Sequence, residues 1–380
     1  MTMRVFGDED LALVKEVLQS GNLCSLSGKM TKRFEEEFAR AVGAKHAVAY
    51  NSAMSVLHGA VAAAGAGAGD EVICDPMVQF GAVAAMYNNA VPVFADVDRD
   101  THLMSPESIR ARVTPRTKAI IVTHLWGLPC DMDPIMQIAR EHNLVVIEDN
   151  AHGLFARYKG SYTGTLGHIG SFSFQMSKHL ATGDGGMATT DDAFLYDRLV
   201  EGCGARGLAT FPRLSWNYRM TEVIAAVGLA QLARAHTYVE QAVANAKFYN
   251  DAVAECKWIK AQAVPKDRTN AYHIWAGAFY GDKFGIEYEA FKKAAKDAGC
   301  GVGFGYIQKP AYLYDLFREP LAYGRGCPVY CPHHPGIHYE PGYCPVAEDL
   351  MPRLMLIGTG GPPDHHKANA DKLRTAIAKF

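Results

Sequence analysis

Ala119-Ile-Ile-Val122, the stretch from Asp133 to His142, and Leu144-Val-Val-Ile147-Glu148-Asp149 follow one another near the middle of the chain, and their reading decides the fold. The first and last are short apolar runs rich in β-branched residues, the composition of strands buried on both faces. The stretch between them carries apolar residues at helical spacing. The same alternation continues toward the N-terminus. His46-Ala-Val-Ala-Tyr50 reads as a strand, followed by a helix from Ser52 to about Ala66 that Gly65-Ala-Gly-Ala-Gly69 stops. Glu71-Val-Ile-Cys74 and Pro92-Val-Phe-Ala-Asp96 are further strands, with helices at Val78 to Asn88 and Pro106 to Arg112. Short apolar strands separated by amphipathic helices predict an α/β fold with a mainly parallel sheet covered by helices.

Toward the C-terminus the pattern first turns helical, from Leu195 to Cys203 and from Thr221 to about Cys256. Beyond it, strands at Ile274 to Tyr280 and Gly301 to Tyr306 mix with helices at Tyr288 to Ala298 and Asp364 to Phe380. A chain of 380 residues exceeds what one core usually serves. The expected division is therefore a large domain over residues 1–250 and a smaller α/β domain over 251–380.

Composition excludes several function classes. Hydrophobic residues make up 49% and charged residues 21%, a globular balance. With 38 basic and 40 acidic residues the formal charge is −2, which gives no reason to expect nucleic acid or an anionic membrane as partner. No apolar run approaches the ~18 residues of a membrane span, and Met1-Thr-Met-Arg-Val-Phe-Gly-Asp-Glu-Asp10 lacks the basic-then-apolar layout of a signal peptide. The expected location is the cytoplasm. Nine scattered cysteines read as reduced thiols, not as a disulfide framework.

The chemistry is concentrated after the strand that ends at Ile147. Ligands on such sheets bind beyond strand ends, and Asp149 sits at one. Lys178 lies twenty-nine residues further on, in Ser171-Phe-Ser-Phe-Gln-Met-Ser-Lys178-His-Leu-Ala-Thr-Gly183-Asp-Gly-Gly186. A lone lysine in such a loop is usually a solvated charge, and an aspartate after a strand is often a helix cap. Together, an acid at a strand end and a lysine in a Ser- and Gly-rich segment suggest a pyridoxal phosphate site. The acid would keep the pyridine nitrogen protonated, and the lysine would form a Schiff base with the aldehyde.

Further pieces extend this reading along nearly the whole chain. They are Phe34-Glu-Glu-Glu-Phe38, Asn51-Ser-Ala-Met-Ser-Val-Leu-His58, Gly69-Asp-Glu-Val-Ile73, Val91-Pro-Val-Phe-Ala-Asp-Val-Asp98, Val122-Thr-His-Leu-Trp-Gly127, Trp216-Asn-Tyr-Arg-Met-Thr-Glu222, Gly228-Leu-Ala-Gln-Leu232 and Cys344-Pro-Val-Ala-Glu348. In order and spacing they resemble the DegT/DnrJ/EryC1/StrS family of pyridoxal phosphate-dependent aminotransferases acting on sugars and cyclitols. The resemblance implies the fold of aspartate aminotransferase, fold type I. It also implies transfer of an amino group from an amino acid donor, glutamate or glutamine, to a keto-sugar, often nucleotide-linked, or to a keto-cyclitol.

Carried over residue by residue, it makes Lys178 the Schiff-base lysine and proton carrier, and Asp149 the partner of the pyridine nitrogen. His152, where the family often has Gln, would lie near the cofactor's phenolic oxygen. Ser173, Ser52 and the amides of Ala53 and Met54 would bind the phosphate, aided by the helix that starts there. Asn217 would reach the phosphate of a neighbouring subunit, which implies a homodimer with shared active sites. Two departures stand out. The family's Ser-Gly-Thr phosphate loop reads Ser52-Ala53-Met54, so a hydroxyl is missing. Asp75-Pro-Met-Val-Gln-Phe80 also differs from the family's Thr-aromatic pattern, leaving Phe80 as the candidate for stacking on the ring.

Tyr306, Lys309 and Tyr312 lie where the family's second domain closes over substrate. Arg213, Arg219, Lys309 and Arg325 are too scattered in sequence to mark a nucleotide diphosphate site. The Gln175 version of the lysine segment and His124-Leu-Trp-Gly127 are similar to relatives that aminate cyclitols or make aminohydroxybenzoate. Two other functions compete with transamination. Sugar dehydratases of this fold have His in place of the lysine, so Lys178 argues against them. A non-catalytic sensor would fit the altered phosphate loop but not the paired Lys178 and Asp149. Cys327, Cys331, His333, His334, His338 and Cys344 invite a zinc reading. The intervening prolines and the lack of a Cys-x-x-Cys knuckle speak for a substrate-facing loop, and no metal is expected.

Overall fold

The computed structural model describes residues 5–205, 213–306, 309–319, 322, 328–329 and 332–380. The chain opens with helices α1 (Asp8–Ser20) and α2 (Met30–Val42). Then strand and helix alternate: β1 (His46–Tyr50), α3 (Ala53–Ala63), β2 (Glu71–Cys74), α4 (Phe80–Tyr87), β3 (Val91–Phe94), α5 (Pro106–Arg112), β4 (Thr117–Thr123), α6 (Met132–His142) and β5 (Val145–Asp149). Small strands β6 (Arg157–Tyr158) and β7 (Ser161–Tyr162) precede β8 (Ile169–Ser173) and β9 (Gly186–Thr190).

Local chemistry sets several of the boundaries. Ser52 caps α3 by accepting the Ser55 amide at 3.1 Å, and Asp192 caps α7 (Ala193–Cys203) through the Leu195 amide at 2.9 Å. Helix α2 borrows its cap from across the molecule. Glu222, in the first turn of α8 (Glu222–Leu232), accepts the amides of Met30 and Thr31 at 2.6 and 3.0 Å. Gly28 permits this approach, because a Cβ there would fall 2.1 Å from the Glu222 carboxyl carbon.

The main sheet has the order β1-β9-β8-β5-β4-β2-β3. Strands β3, β2, β4, β5 and β8 pair in parallel, whereas β9 runs antiparallel to both of its neighbours. The sheet is mainly parallel, as expected, with one reversed strand that the alternation does not foretell. Ile169-Gly-Ser-Phe-Ser173 and Gly186-Met-Ala-Thr-Thr190 escape a strand reading because Gly and Ser break the apolar run.

The single long helix expected from Thr221 to Cys256 is two helices, α8 and α9 (Ala235–Val253). Between them the Arg234 amide turns back to the Gln231 carbonyl at 3.1 Å, and the Arg234 guanidinium pairs with Asp10 at 2.6 Å. Helix α9 runs through residue 250 without a break. From Ala246 onward it joins the core of a second, antiparallel sheet of order β10-β12-β14-β13. Its strands are β10 (Ile259–Ala261), β12 (Ile274–Phe279), β13 (Gly303–Phe304) and β14 (Leu354–Gly358); β11 (Arg268–Thr269) instead pairs with β6. Helices α10 (Tyr288–Asp297), α11 (Asp315–Arg318), α12 (Pro345–Leu350) and α13 (Pro363–Ile377) complete the fold. Trp258, Trp275, Phe279 and Phe291 fill the space between this sheet and α9, α10 and α13.

Among the described residues no helix is long and apolar enough to cross a membrane, and the seven described cysteines are free thiols.

Candidate active site

Beyond the C-terminal ends of β4 and β5 lies a cavity of about 300 Å³ bordered by Ser52, Ala53, Met54, Phe80, Thr123, Asp149, His152, Ser173, Gln175, Lys178, Asp184 and Tyr306. Its floor is set by strand register. Thr123 and Asp149 are paired residues of β4 and β5, and Ser171 of β8 lies opposite Asp149 on the other side. Lys178 stands in the connection from β8 to β9. That loop is closed at its base by Phe174 N to Gly185 O at 2.9 Å and Thr182 N to Phe174 O at 2.8 Å. Within it the Lys178 amide turns back to the Gln175 carbonyl at 2.8 Å, which fixes where the lysine side chain begins.

The two charged groups shape each other. Burial pushes the Lys178 amine down to about 8, with the Asp149 carboxylate opposing the shift. Burial raises Asp149, while the Ala151 amide and the charge of Lys178 pull it back. Asp149 accepts the Ala151 amide at 3.2 Å, a modest supply of donors for a carboxylate only 4% exposed. An amine with a lowered pKa is a ready nucleophile, and a carboxylate short of donors favours any cation brought beside it. Asp75, also buried, is pushed up to about 7 by burial first, with Asp149 adding to the rise.

The first turn of α3 forms one side of the cavity. The amides of Ala53 and Met54 have no carbonyl partner within the helix, and a helix start favours anions. Strand β9 presses against this turn through Gly186, where a Cβ would lie 2.5 Å from the Ser52 carbonyl carbon and 2.7 Å from the Ala53 nitrogen. The hydroxyl lacking at Met54 has a neighbour that the sequence reading missed. Ser55 Oγ lies 2.9 Å from Ser52 Oγ and donates to Asn51 Oδ1 at 2.7 Å. It faces an adjoining concavity shared by Ser52, Met54, His58, Tyr87 and Tyr218.

His152 is 8% exposed and borders the cavity, its ring stacked on Trp126 and tilted against His273. Ser173 ends β8 at the cavity wall, and Phe80, 47% exposed, opens α4 there. Tyr306 also borders the cavity and meets Trp126 edge to face at 4.9 Å.

Three candidates stand elsewhere. Tyr312 is a correction: it is fully buried under Phe94, donates its hydroxyl to Glu348 and accepts the Cys344 amide at 3.0 Å, so it is a core residue and not a substrate contact. Its place in an aromatic cluster could not be read from linear spacing. Lys309 does not border the cavity, and its ammonium lies 4.9 Å from the Tyr314 ring centroid. Asn217 is exposed and borders none of the cavity of its own chain. Arg213 pairs with Glu201 and Arg219 with the Gly204 carbonyl, while Arg325 lies outside the described residues.

Cys327 and Cys331 also lie outside the described residues. His334 is committed to Glu71 at 2.9 Å and to the Gly336 amide at 3.0 Å, and Cys344 is buried with its thiol toward the Phe94 carbonyl. Among the described residues no group of three His, Cys, Asp or Glu side chains could hold a metal.

Residues 5–330 match the DegT/DnrJ/EryC1/StrS aminotransferase family. The chain belongs to this family. It is 35% identical over 339 residues to the spore coat polysaccharide biosynthesis protein SpsC of Bacillus subtilis, across 85% of this chain and 86% of SpsC. GDP-perosamine synthase of Caulobacter vibrioides is 44% identical over 212 residues, 54% of this chain and 57% of that one. Among solved structures, an aminotransferase from Psychrobacter cryohalolentis is similar with a TM-score of 0.83 at 30% identity, covering 99% of this chain and 98% of the other. This DegT/DnrJ/EryC1/StrS protein is accordingly an aminotransferase of fold type I that works with pyridoxal phosphate. The cavity fits that cofactor: a half-buried amine with a lowered pKa and a donor-poor carboxylate share it with a helix start suited to a phosphate.

Proposed function

We propose that this enzyme transfers an amino group from glutamate or glutamine to the ketone of a nucleotide-linked keto-sugar. The observation that carries the reading is the meeting of Lys178 and Asp149 in one cavity beside the free amides of α3. The nucleotide-linked acceptor rests on the likeness to GDP-perosamine synthase, an enzyme named for an amino sugar carried on a nucleotide.

Pyridoxal phosphate, when bound, supplies the electron sink that lets the donor's C–H bond break. Lys178 would hold the cofactor's aldehyde carbon and, once released by a substrate amine, would carry the proton as general base and acid. Its lowered pKa suits both tasks, because the neutral and charged forms are close in energy near neutral pH. Asp149 would face the pyridine nitrogen and keep it protonated, gaining the cation partner that its burial calls for. His152 would lie at the phenolic oxygen, and Phe80 would cover one face of the ring. The phosphate would take the Ala53 and Met54 amides with the hydroxyls of Ser52 and Ser173. Tyr306 would meet the substrate at the mouth. The exposed Asn217 would serve the site of a second copy, which makes the active form a homodimer. The two sheets would mark the two domains, divided within α9 near residue 250, and the enzyme would work in the cytoplasm.

Spectroscopy and turnover test the proposal together. The absorbance band of the bound cofactor should change on adding glutamate or glutamine and return on adding a nucleotide-linked keto-sugar, with keto acid released. A band that responds to neither amino acid would overturn transamination. Turnover with keto-cyclitols alone would overturn the acceptor.

A further inference from the structure

His152 meets the cavity with one ring nitrogen already committed. Its Nδ1 accepts the amide of Trp126 at 3.3 Å, so the ring proton resides on Nε2. Burial first, then the charges of Lys178 and His179, hold the ring well below the ordinary histidine pKa, and it is neutral at pH 7. A neutral imidazole offers one donor and one acceptor. Which of them faces the cavity depends on what holds the Trp126 amide in place.

That amide belongs to a tight turn anchored from beneath the site. His124 and Glu148 are fully buried, and neither borders the cavity. Glu148 receives the amides of Gly164, Leu166 and Gly167 at 2.7, 2.7 and 2.6 Å, and His124 Nε2 at 2.7 Å. His124 Nδ1 accepts the Cys130 amide at 3.0 Å, so His124 must donate from Nε2 to Glu148. Every polar atom of the pair is thereby satisfied and directional. His124 in turn fixes the backbone. Its amide donates to the Asp149 carbonyl at 3.1 Å, and its carbonyl accepts the Gly127 amide at 3.1 Å, closing the turn that carries Trp126. Trp126 itself has φ +64° and ψ −3°, a left-handed conformation that a tryptophan keeps only when its surroundings impose it. Relaxing the turn would swing the amide away from His152.

We propose that Glu148 and His124 are positioning residues that, through the backbone of Trp126, hold His152 as the Nε2–H tautomer and so present the cavity with a hydrogen-bond donor. A donor stabilises an oxygen that carries negative charge, whereas the opposite tautomer would turn a lone pair toward it. For its consequence the proposal rests on the reading of His152 as neighbour of the cofactor's phenolic oxygen. The tautomer itself belongs to the protein, with or without cofactor.

The test is nuclear magnetic resonance of the full chain labelled with ¹⁵N-histidine, freed of cofactor, with His152→Gln identifying the signal. The wild type should show His152 in the Nε2–H form alone. In Glu148→Gln the signal should move toward a mixture of tautomers, and the dissociation constant for pyridoxal phosphate should rise about tenfold, the scale of one hydrogen bond to a charged group. His124→Asn keeps an acceptor for the Cys130 amide and carries the same test if Glu148→Gln does not fold. A purely Nε2–H signal in the folded variants overturns the proposal. A shifted tautomer supports it whatever the cofactor does. If pyridoxal phosphate then binds His152→Ala as tightly as wild type, the reading of His152 as cofactor neighbour fails separately.

Discussion

Glu148 and Asp149 are consecutive carboxylates at the end of β5, and the strand sends them to opposite sides. Glu148 takes four N–H donors and is sealed from the cavity. Asp149 accepts a single amide, at 3.2 Å, and faces Lys178 across the cavity with its pKa raised by burial. The same chemical group is thus architecture in one position and reactive in the next. Supply of donors separates the two roles, since a saturated carboxylate has nothing left to offer a ligand.

Substitutions can break this contrast, beginning with the largest expected effect. Lys178→Met should lower turnover by roughly 10³-fold or more, because it removes the proton carrier. At pH 7 the cofactor-free variant should nonetheless be more stable than wild type by on the order of 1–2 kcal/mol, because wild type folds with a partly buried charge. Calorimetry of both proteins checks this. Asp149→Asn should cost roughly 10²–10³-fold in turnover, the scale for losing one charge-stabilising group, while the cofactor-free fold melts no lower. Glu148→Gln should show the opposite balance. Placing an amide's donors against backbone N–H groups should cost about 2–3 kcal/mol in denaturant unfolding.

The pH dependence of stability sharpens the same contrast. Lys178 sits at about 8, below its ordinary 10.5, so the unfolded chain holds its proton longer. The penalty for the half-buried amine is therefore full below pH 8 and is relieved as pH rises from about 8 toward 10.5. The stability gap between Lys178→Met and wild type should close over that window. Asp149 runs the other way. Its raised pKa makes the cofactor-free fold lose stability as pH climbs from the ordinary carboxylate range through the raised value, and Asp149→Asn should remove that slope. The smallest effect concerns Tyr312→Phe. Losing the bond to Glu348 should cost about 1 kcal/mol in stability and leave KM unchanged, which separates a core residue from a substrate contact.

The parallel core of the fold was legible because β2 to β5 are built on apolar runs that pack on both faces, with the polar residues that serve the site, Thr123 and Glu148-Asp149, confined to the ends of β4 and β5. Strands β8 and β9 were hidden by the Gly and Ser that the site requires: Gly186 must let β9 approach α3. The places of Lys178 and Asp149 in one cavity were legible from the strand end and the loop spacing. What spacing could not show was three-dimensional saturation. Nothing in the run Glu148-Asp149 tells which acid meets four donors, since Gly164, Leu166 and Gly167 come from a loop that only folding brings back. Tyr312 was misread for the same reason, its partner Glu348 lying on a distant helix. Ser55 escaped notice because its hydroxyl reaches Ser52 only within the helical turn.

The most direct measurement is borohydride reduction of the purified holoenzyme followed by peptide mapping. A pyridoxyl phosphate adduct is expected on Lys178 and absent from Lys178→Met. An adduct on another lysine, or none on Lys178 in enzyme that retains its cofactor band, would contradict it.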